Sequence, residues 1–546
     1  MVIKSPYTSV PEPTLPFHEI VLERVRRHAL EGKNKIAFID GHNSRDQLTY
    51  KQLYEYSLSL ATFLRQQGFE KDVCCFVLPN MWQYAVGFLG VTRAGGVVSG
   101  ASALFTDHEL QRQFVDSRAK AVFTTEALLP KVLKAVKESP NVKTIIVVPK
   151  PKDSSLPSEV FNFNDIIKKP ADPNLPKSKI DIKKDLVMLP YSSGTTGPPK
   201  GVMLTHLNYS MMLNIYTSHD AKYNTPILDS NWDYERETFI LLLPFYHVYG
   251  FGLLTVNLLM GSCGIIFSHF DPVSFCTAIQ DHRVRMLPLV PPIMVFLAKS
   301  PLCNNYDLSS VEFVICGAAP AGRDLCEELS AKYKNIKYIQ QGYGMTESSM
   351  ASHIPDLKGG QPFGSVGKLA SNLEMKITNV ESGKEVKLGE RGEICIRGPT
   401  VMAGYLGRPD ATKSTVIDNW LHTGDIGYVD NDGNLFIVDR LKELIKVKGL
   451  QVAPAELEDL LLSHPRIRDA AVIGVPDAKA GELPRAYVVR ADDKLTQDEV
   501  KEFVKSKVSH YKQLAGGVEF LDEIPKSAAG KILRRLLKDK AVKSKL

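Results

Sequence analysis

At residues 191–201 the chain reads Tyr191-Ser192-Ser193-Gly194-Thr195-Thr196-Gly197-Pro198-Pro199-Lys200-Gly201. An apolar run at 186–189 precedes this stretch and predicts a buried strand. The glycines carry no Cβ, so their backbone N–H groups can close around an anion. The hydroxyl groups add rotatable donors, and Lys200 adds a positive charge. The same composition is typical of a surface loop, but this density of donors before Pro-Pro-Lys-Gly favours a phosphate-binding loop.

The spacing of this loop differs from that of two other nucleotide motifs. A Walker A loop has four residues between its first glycine and a Gly-Lys-Ser/Thr end, whereas Lys200 is followed by Gly201. A G-x-G-x-x-G fingerprint is also absent from the loop. It instead resembles the phosphate loop of the adenylate-forming enzymes, which include acyl-CoA synthetases, 4-coumarate–CoA ligases and beetle luciferases. The resemblance implies ATP contacts from Ser192, Ser193, Gly194, Thr195, Thr196, Gly197 and Lys200, with Thr196 also a Mg²⁺ ligand.

A second segment carries the same resemblance: Tyr338-Ile339-Gln340-Gln341-Gly342-Tyr343-Gly344-Met345-Thr346-Glu347. A strand that ends in Gly-Tyr-Gly exposes backbone edges and a flat ring, which suits an adenine base. A hydroxyl followed by a carboxylate supplies the hard oxygen ligands that Mg²⁺ prefers. A threonine that only caps a helix is the plainer interpretation, and both can hold together. The resemblance implies ATP contacts from Gln340, Gly342 and Tyr343, catalytic roles for Thr346 and Glu347, and metal binding by Glu347.

Two later motifs point to the ribose and to a hinge. Asp425 follows a glycine in Thr423-Gly424-Asp425 and is able to accept hydrogen bonds from ribose hydroxyls, although an aspartate at a turn is usually only a turn residue. The family uses the aspartate of this motif for the ribose, which implies that role for Asp425. By the same resemblance, Arg440 meets the ribose or the α-phosphate, and Lys442 is both an ATP contact and the hinge of a smaller C-terminal domain.

The C-terminal part carries the remaining expected machinery. Lys531 follows Ser527-Ala528-Ala529-Gly530 and precedes apolar residues predicted to form one face of an amphipathic helix: Ile532, Leu533, Leu536 and Leu537. A lysine in such a loop is otherwise an ordinary exposed lysine. The resemblance implies that Lys531 is catalytic and stabilises the adenylation transition state. It also implies a second face that binds CoA, made of Lys446, Lys448, Gly449 and Gln451.

A histidine at the end of a predicted strand marks the expected acyl site. His247 lies in Pro244-Phe245-Tyr246-His247-Val248-Tyr249-Gly250, after the strand at 240–243. A histidine among aromatic residues is more often a packed core residue, but α/β proteins bind ligands at the ends of their strands. The resemblance implies a role for His247 beside the acyl carboxylate. The expected acyl pocket comprises His247, Tyr249, Gly317, Ala318, Gly342 and Val366.

The length and the order of elements predict the architecture. A chain of 546 residues is too long for one compact core. Predicted strands and helices alternate along it, which favours an α/β layer architecture. Residues 150–184 are rich in Pro, Asp and Lys and predict a surface linker. The resemblance implies a large N-terminal α/β domain of several subdomains at 1–439 and a small mobile α+β lid at 440–546, with the active site between them.

The charge, cysteine and terminal patterns predict the setting. Residues 501–546 hold twelve Lys and Arg against five Asp and Glu. A solvated basic face is the default interpretation of such an excess, so no nucleic-acid partner is expected. The eight cysteines form no C-x-x-C pair, which fits a reducing compartment. The apolar stretch at 251–267 is interrupted by polar residues, so it predicts a core helix and a buried strand rather than a membrane span. The terminal Ser544-Lys545-Leu546 is a receptor-read peroxisomal address.

Together the motifs predict an ATP-dependent carboxylic acid–CoA ligase that uses ATP, Mg²⁺ and coenzyme A. The acid and ATP give acyl-AMP and pyrophosphate, and CoA then displaces AMP. The small residues of the acyl pocket and the peroxisomal address favour a medium- or long-chain fatty acid or an aryl-propenoic acid. The alternatives are a luciferase-like oxygenase with the same adenylation site, a carrier-protein-charging domain, and a non-catalytic acyl- or nucleotide-binding protein. The presence of Lys531, Glu347 and Asp425 argues against the last, and no carrier domain follows Lys531.

Overall fold

A computed structural model of the chain describes residues 1–32, 34–150, 156–192, 199–319, 321–447, 450–477, 480–508, 510–527 and 530–543. The first elements are β1 (Ile3–Lys4), α1 (Phe17–Glu31), β2 (Ile36–Asp40), β3 (Gln47–Thr49), α2 (Tyr50–Gln66), β4 (Val73–Val77), α3 (Trp82–Arg93), β5 (Val97–Ala101), α4 (Asp107–Asp116), β6 (Ala121–Thr125), α5 (Leu129–Val136), β7 (Thr144–Val148), β8 (Phe161–Asn162), α6 (Phe163–Lys168) and β9 (Leu186–Met188).

The central elements are β10 (Tyr191–Ser192), β11 (Lys200–Thr205), α7 (His206–His219), α8 (Thr225–Leu228), β12 (Thr238–Leu241), α9 (Val248–Met260), β13 (Cys263–Ile266), α10 (Pro272–Asp281), β14 (Met286–Leu289), α11 (Pro291–Lys299), β15 (Phe313–Cys316), α12 (Arg323–Lys332), β16 (Tyr338–Gln341), β17 (His353–Ile354), β18 (Lys368–Leu369), β19 (Glu374–Thr378), β20 (Gly392–Arg397), β21 (Gly404–Tyr405), α13 (Pro409–Thr415), β22 (Val416–Ile417) and β23 (Trp420–Val429). A π-helix at Asp220–Asn224 joins α7 to α8.

The last elements are β24 (Leu435–Arg440), β25 (Ile445–Val447), β26 (Leu450–Val452), α14 (Pro454–Leu462), β27 (Ile467–Asp477), β28 (Gly481–Arg490), α15 (Gln497–Lys505), β29 (Gly517–Phe520) and α16 (Arg534–Lys543). Several helices begin at the side-chain caps that their sequences predict. Thr49 and Gln52 form a reciprocal capping box, which starts α2 at Tyr50. Gly261 ends α9 in the left-handed conformation, with φ of 77°.

Four sheets of the large N-terminal part build the frame of the site. The largest has the order β10-β11-β9-β5-β4-β6-β7-β8, with β21 paired to β11. A second sheet, β12-β13-β2-β3, packs near a three-stranded parallel sheet, β14-β15-β16. A six-stranded sheet, β1-β19-β20-β23-β22 with β24 on β23, carries Asp425 and Arg440. The mixture of strands and helices agrees with the α/β class expected from the sequence.

The C-terminal part has a sheet and a core of its own. Strands β26-β25-β28-β27, with β29 on β28, form the sheet, and α14, α15 and α16 pack on it. One apolar cluster on this sheet includes Val472 and Val488, and another joins Ile473 to Leu537 of α16. The exact division at 439/440 stays a prediction.

Two local predictions were wrong. The stretch 150–184 is not purely linker, because β8 and α6 lie within it and Phe163 is fully buried in the main core. The predicted helical face at 532–537 is also incorrect. Helix α16 begins only at Arg534, and Leu536 is 47% exposed while Leu537 is 2% exposed. The backbone of Leu533 instead closes a turn back to Pro525, which delays the start of the helix.

The apolar stretch at 251–267 forms most of α9 and then β13, as predicted. Within the described ranges, none of the helices combines the length and apolar character that a membrane crossing requires.

Candidate active site

The site forms where the carboxyl ends of parallel strands meet, as is usual in open α/β sheets. The N–H of Gly317, just after β15, donates to Leu289 O at 3.1 Å, and the N–H of Gly342, just after β16, donates to Cys316 O at 3.1 Å. The two expected pocket glycines therefore end neighbouring strands side by side. Ala318 then adopts a left-handed conformation with φ of 67°, an unusual and costly one for a residue with a side chain.

Tyr249 lies directly over Gly317. A Cβ added at Gly317 would come within 2.8 Å of Tyr249 Cε1, closer than real carbon atoms approach. The absence of a side chain at 317 is therefore what lets the ring rest on the strand end. The hydroxyl of Tyr249 is buried and has no hydrogen-bond partner among the described residues. Tyr249 and Gly317, both expected in the acyl pocket, are therefore in direct contact, and their role there stays a prediction.

His247 is held at the start of α9 as a neutral ring. Its Nδ1 accepts a hydrogen bond from the N–H of Tyr249 at 3.3 Å and so caps the helix. Burial, and then the positive charge of Lys531, lower the pKa of His247 to about 4. With Nδ1 used as an acceptor in the neutral ring, Nε2 carries the proton. His247 therefore offers one uncharged donor in the neighbourhood of Lys531.

Tyr343, Asp425 and Arg440 form a connected group. The Tyr343 hydroxyl donates to Asp425 Oδ2 at 2.6 Å, and Arg440 Nε lies 3.4 Å from Asp425 Oδ1. Asp425 and Arg440 also face each other across β23 and β24. Burial raises the pKa of Asp425, while Arg440 and Tyr343 act in the opposite direction. The structure thus brings together the expected base-binding ring and the expected ribose carboxylate.

Lys531 enters this group from the C-terminal part. Its loop is closed by hydrogen bonds from Ser527 N–H to Lys531 O and from Gly530 N–H to Ser527 O, both at 2.8 Å. A side chain added at Gly530 would come within 3.5 Å of Val290 and Pro292, so the loop lies against the start of α11.

The surroundings of Lys531 set its charge. Burial, and then the charge of Arg440, lower its pKa to about 8, while Glu443 and Asp425 partly restore it. Lys531 therefore stands within electrostatic reach of His247, Asp425 and Arg440, and its role in adenylation stays a prediction.

A polar network connects the start of the phosphate loop with the second signature. Ser192 Oγ and the Tyr405 hydroxyl both donate to Glu347 Oε1, at 3.0 and 2.8 Å, and Glu347 is 6% exposed. Lys200 Nζ lies 4.8 Å from the centre of the Tyr405 ring, a cation–π distance. Because both hydroxyls use Oε1, Oε2 accepts from neither of them. Glu347 is thus a buried carboxylate fixed beside the loop, with one oxygen available for a hard ligand. Thr346 precedes it and is 9% exposed.

The structure also describes further expected site residues besides those in the groups above. Gln340 is buried on β16, and its Oε1 has no hydrogen-bond partner among the residues that the structure describes. Val366 is buried in an apolar cluster with Ile354 and Leu369. Lys446 is exposed on β25, where its N–H donates to Glu482, and Lys442 follows β24. The predictions for Ser193, Gly194, Thr195, Thr196, Gly197, Lys448, Gly449 and the terminal Ser544-Lys545-Leu546 lie outside the described residues, as does the side chain of Gln451.

Two contributors were not predicted from the sequence. Tyr405 orients Glu347, and Glu393 positions the turn before Asp425. Glu393 accepts from Gly424 N–H at 3.1 Å and from His422 Nδ1 at 2.8 Å, while Gly424 holds a φ of 71°. Tyr405 and Glu347 are 58 residues apart in sequence, and Glu393 is 31 residues from Gly424 and 29 from His422. Local sequence spacing therefore does not predict these contacts.

Comparisons with known proteins match this arrangement. Residues 25–406 match the AMP-binding enzyme family, and residues 456–531 match the AMP-binding enzyme C-terminal domain. A curated relative, 4-coumarate–CoA ligase 2 from Nicotiana tabacum, is 40% identical over 96% of this chain and 94% of its own length.

Solved structures show the same fold over nearly the full length. ATP-bound MatB from Rhodopseudomonas palustris is 26% identical, with a TM-score of 0.83 over 96% of this chain and 99% of its own. The o-succinylbenzoate CoA synthetase from Bacillus subtilis is also 26% identical. Its complex with the acyl-adenylate intermediate has a TM-score of 0.79 over 97% of this chain and 99% of its own. Its complex with ATP and magnesium ion has a TM-score of 0.78 over 94% and 99%. The chain belongs to the AMP-binding enzyme family and is an AMP-forming acid–thiol ligase that acts through an acyl-adenylate.

Proposed function

We propose that this ligase joins a medium- or long-chain fatty acid or an aryl-propenoic acid to coenzyme A. The observation that carries the proposal is that Lys531 interacts electrostatically with His247, Asp425 and Arg440, while Tyr249 rests on the strand end at Gly317. Glycine at 317 lets the ring of Tyr249 rest on the strand end, where it serves as a wall of the proposed acyl pocket. The similarity to 4-coumarate–CoA ligases supports the aryl option.

In the first step, a carboxylate oxygen attacks the α-phosphorus of ATP and pyrophosphate leaves. The carboxylate oxygen that becomes part of AMP is then a workable leaving group, which free oxide is not. Negative charge concentrates on the phosphorus centre, so preorganised positive groups lower the barrier. Lys531 supplies one such charge, Thr346 supplies a hydroxyl donor, and the neutral His247 donates from Nε2 toward the acyl carboxylate.

Asp425 orients the ribose in this step, with Tyr343 and Arg440 holding its carboxylate. Glu347 Oε2 and Thr196 are the proposed ligands of a Mg²⁺ ion, because both offer hard oxygen atoms. Bound there, the ion would neutralise phosphate charge. Ser192, Tyr405 and Glu347 Oε1 keep the carboxylate of Glu347 turned toward the phosphate loop.

In the second step, the C-terminal lid turns about Lys442 and withdraws Lys531. The face that contains Lys446, Lys448, Gly449 and Gln451 then guides CoA, whose thiolate attacks the acyl carbonyl as AMP leaves. Lys446 is exposed in the present arrangement. Lys531 lies within electrostatic reach of Asp425 and Arg440, which supports a lid in its adenylation position. For the terminal Ser544-Lys545-Leu546 we propose import into the peroxisome through its receptor.

A screen of pyrophosphate release tests the proposal. Octanoic, decanoic, palmitic, cinnamic and coumaric acids are each supplied with ATP, with and without CoA, and thioester is measured in parallel. Thioester formation from a fatty or aryl-propenoic acid supports the proposal. Pyrophosphate release without any thioester, together with light output from luciferin, would instead favour the luciferase-like alternative.

A further inference from the structure

A cavity lies beside the later turns of α9, further along the helix than Tyr249. It has about 30 Å³ of room for the centres of water-sized groups, roughly two to three times what one water needs. Its lining is almost entirely apolar. The space is thus large enough for the end of a chain and too small for a whole acid.

Helix α9 connects this cavity to the acyl site. Tyr249, Leu253, Val256 and Met260 follow one another at spacings of four, three and four residues, which places them on one face of the helix. The last three line the cavity. The face of α9 that carries Tyr249 at the acyl site therefore also lines the cavity further along the helix.

Strand β15 connects the two spaces on the opposite side. Ile315 lines the cavity, and Gly317 lies two residues further along, under the ring of Tyr249. Residues two apart in an extended segment face the same side. Tyr216 of α7 lies close to both spaces. It lines the cavity, and it is the second cause, after burial, of the raised pKa of Tyr249.

The far wall of this apolar space carries two unsatisfied oxygen atoms. Asn257 and Ser262 line the cavity and are 2% and 0% exposed. Asn257 Oδ1 and Ser262 Oγ have no hydrogen-bond partner among the described residues. Asn257 Nδ2 already donates to Ser262 O at 3.2 Å, which leaves Oδ1 as the unpaired atom of the amide within the described part of the chain. Buried polar atoms left unpaired are costly, so a pair at the end of an apolar space points to a polar ligand group.

We propose that the preferred acid is a flexible aliphatic acid with a hydroxyl group at or near its far end, which donates to Asn257 Oδ1 and accepts from Ser262 Oγ. Asn257 lies two helical turns beyond Tyr249, about 12 Å along the axis. A flexible chain can follow the apolar face of α9 over this length, whereas a rigid aryl-propenoic acid meets Tyr249 first. The inference rests on the proposed ligase function and assigns the substrate class of the same site.

The test compares decanoic acid with ω-hydroxydecanoic acid, and cinnamic acid with coumaric acid, by kcat/KM in full-length enzyme with ATP and CoA. One net hydrogen bond predicts that kcat/KM is about 5–10-fold higher for ω-hydroxydecanoic acid than for decanoic acid. Asn257→Leu and Ser262→Ala should abolish that preference and leave the ratio of coumaric to cinnamic acid unchanged. Thr255→Val is the matched control, because Thr255 is buried on α9 but bonds to Phe251 O and Gly252 O within the helix.

Val256→Phe provides a second test that does not depend on the polar pair. Filling the cavity should lower kcat/KM at least tenfold for both decanoic acids and change octanoic acid less. Equal kcat/KM for the two decanoic acids in the unaltered enzyme would overturn the inference. A changed ratio of coumaric to cinnamic acid in Asn257→Leu would overturn it as well. A failure of every acid to give thioester would instead remove the proposed function itself.

Discussion

The hydroxyl of Tyr343 donates to Asp425 Oδ2 over 2.6 Å, across 82 residues of sequence. This bond joins the strand that ends in Gly-Tyr-Gly to the Thr-Gly-Asp turn, so the expected base and ribose contacts are one unit. Arg440, 3.4 Å from the other carboxylate oxygen, fixes the orientation of Asp425 from the next strand. A nucleoside that binds here therefore meets a carboxylate that is already oriented.

Asp425→Ala should raise the KM for ATP about 5–150-fold and leave the order of preference among acids unchanged. The loss corresponds to ribose hydrogen bonds to a charged acceptor, about 1–3 kcal/mol. Tyr343→Phe keeps the carboxylate but frees its orientation, so its effect should be in the same direction and smaller. Initial rates at varied ATP with two acids provide the measurement. An unaltered KM for ATP in Asp425→Ala would remove Asp425 from the ribose site.

The pH dependence of adenylation should report Lys531. Burial and Arg440 lower its pKa to about 8, and the charged form is the one that stabilises the phosphate. Because the charged form is lost as pH rises through this value, kcat/KM for ATP should fall above about pH 8, approaching tenfold per unit. Lys531→Arg should remove this limb, since arginine stays charged. A limb that persists unchanged in Lys531→Arg would assign the titration to another group.

Gly317→Ala should select against bulky acids. The added methyl group would lie 2.8 Å from Tyr249 Cε1, so the ring must move into the acyl pocket. An overpacking cost of about 1–3 kcal/mol predicts a decrease of about 5–150-fold in kcat/KM for decanoic and coumaric acids. Acetate and the KM for ATP serve as internal controls, and the melting temperature checks folding. Equal losses for acetate and decanoic acid would show that the substitution damages the fold rather than the pocket.

Removal of residues 544–546 should leave the purified activity unchanged and disperse the protein into the cytosol. The reason is that a terminal Ser-Lys-Leu is recognised by a receptor and not by the enzyme's own substrates. Fluorescent fusions of the full and shortened chains, imaged with a peroxisomal marker, provide the measurement. Peroxisomal import of the shortened chain would show that another segment carries the address.

The sequence predicted best those site residues that lie in the motifs of the family. Tyr343, Asp425 and Lys531 were expected together because each lies in a motif of the family, and the structure brings them together. Tyr405 and Glu393 escaped prediction because each acts on a residue 31 or more positions away, through a contact that only the folded sheets create. The helical face at 532–537 was misjudged because a turn back to Pro525 competes with the helix. Apolar periodicity alone does not reveal such a tertiary competitor.

The cavity beyond Tyr249 was likewise beyond prediction from sequence. Residues of α7, α9, β14 and β15 are among those that line it. The sequence shows that Asn257 and Ser262 are present, but only the structure shows that Asn257 Oδ1 and Ser262 Oγ have no hydrogen-bond partner among the described residues. Hydrogen-bond satisfaction is a property of the folded chain. For this chain, the proposed substrate class therefore rests on the residues that line the cavity and not on the sequence motifs.

The central claim is that Lys531 serves adenylation and then leaves the site. The decisive measurement is the rate of each half-reaction in Lys531→Ala, with Lys538→Ala, an exposed lysine of α16, as the matched control. Pyrophosphate release from acid and ATP should fall about 10²–10³-fold, whereas thioester formation from pre-made acyl-AMP and CoA should stay near the unaltered rate. Equal slowing of the two half-reactions would contradict the division of labour between Lys531 and the CoA-binding face.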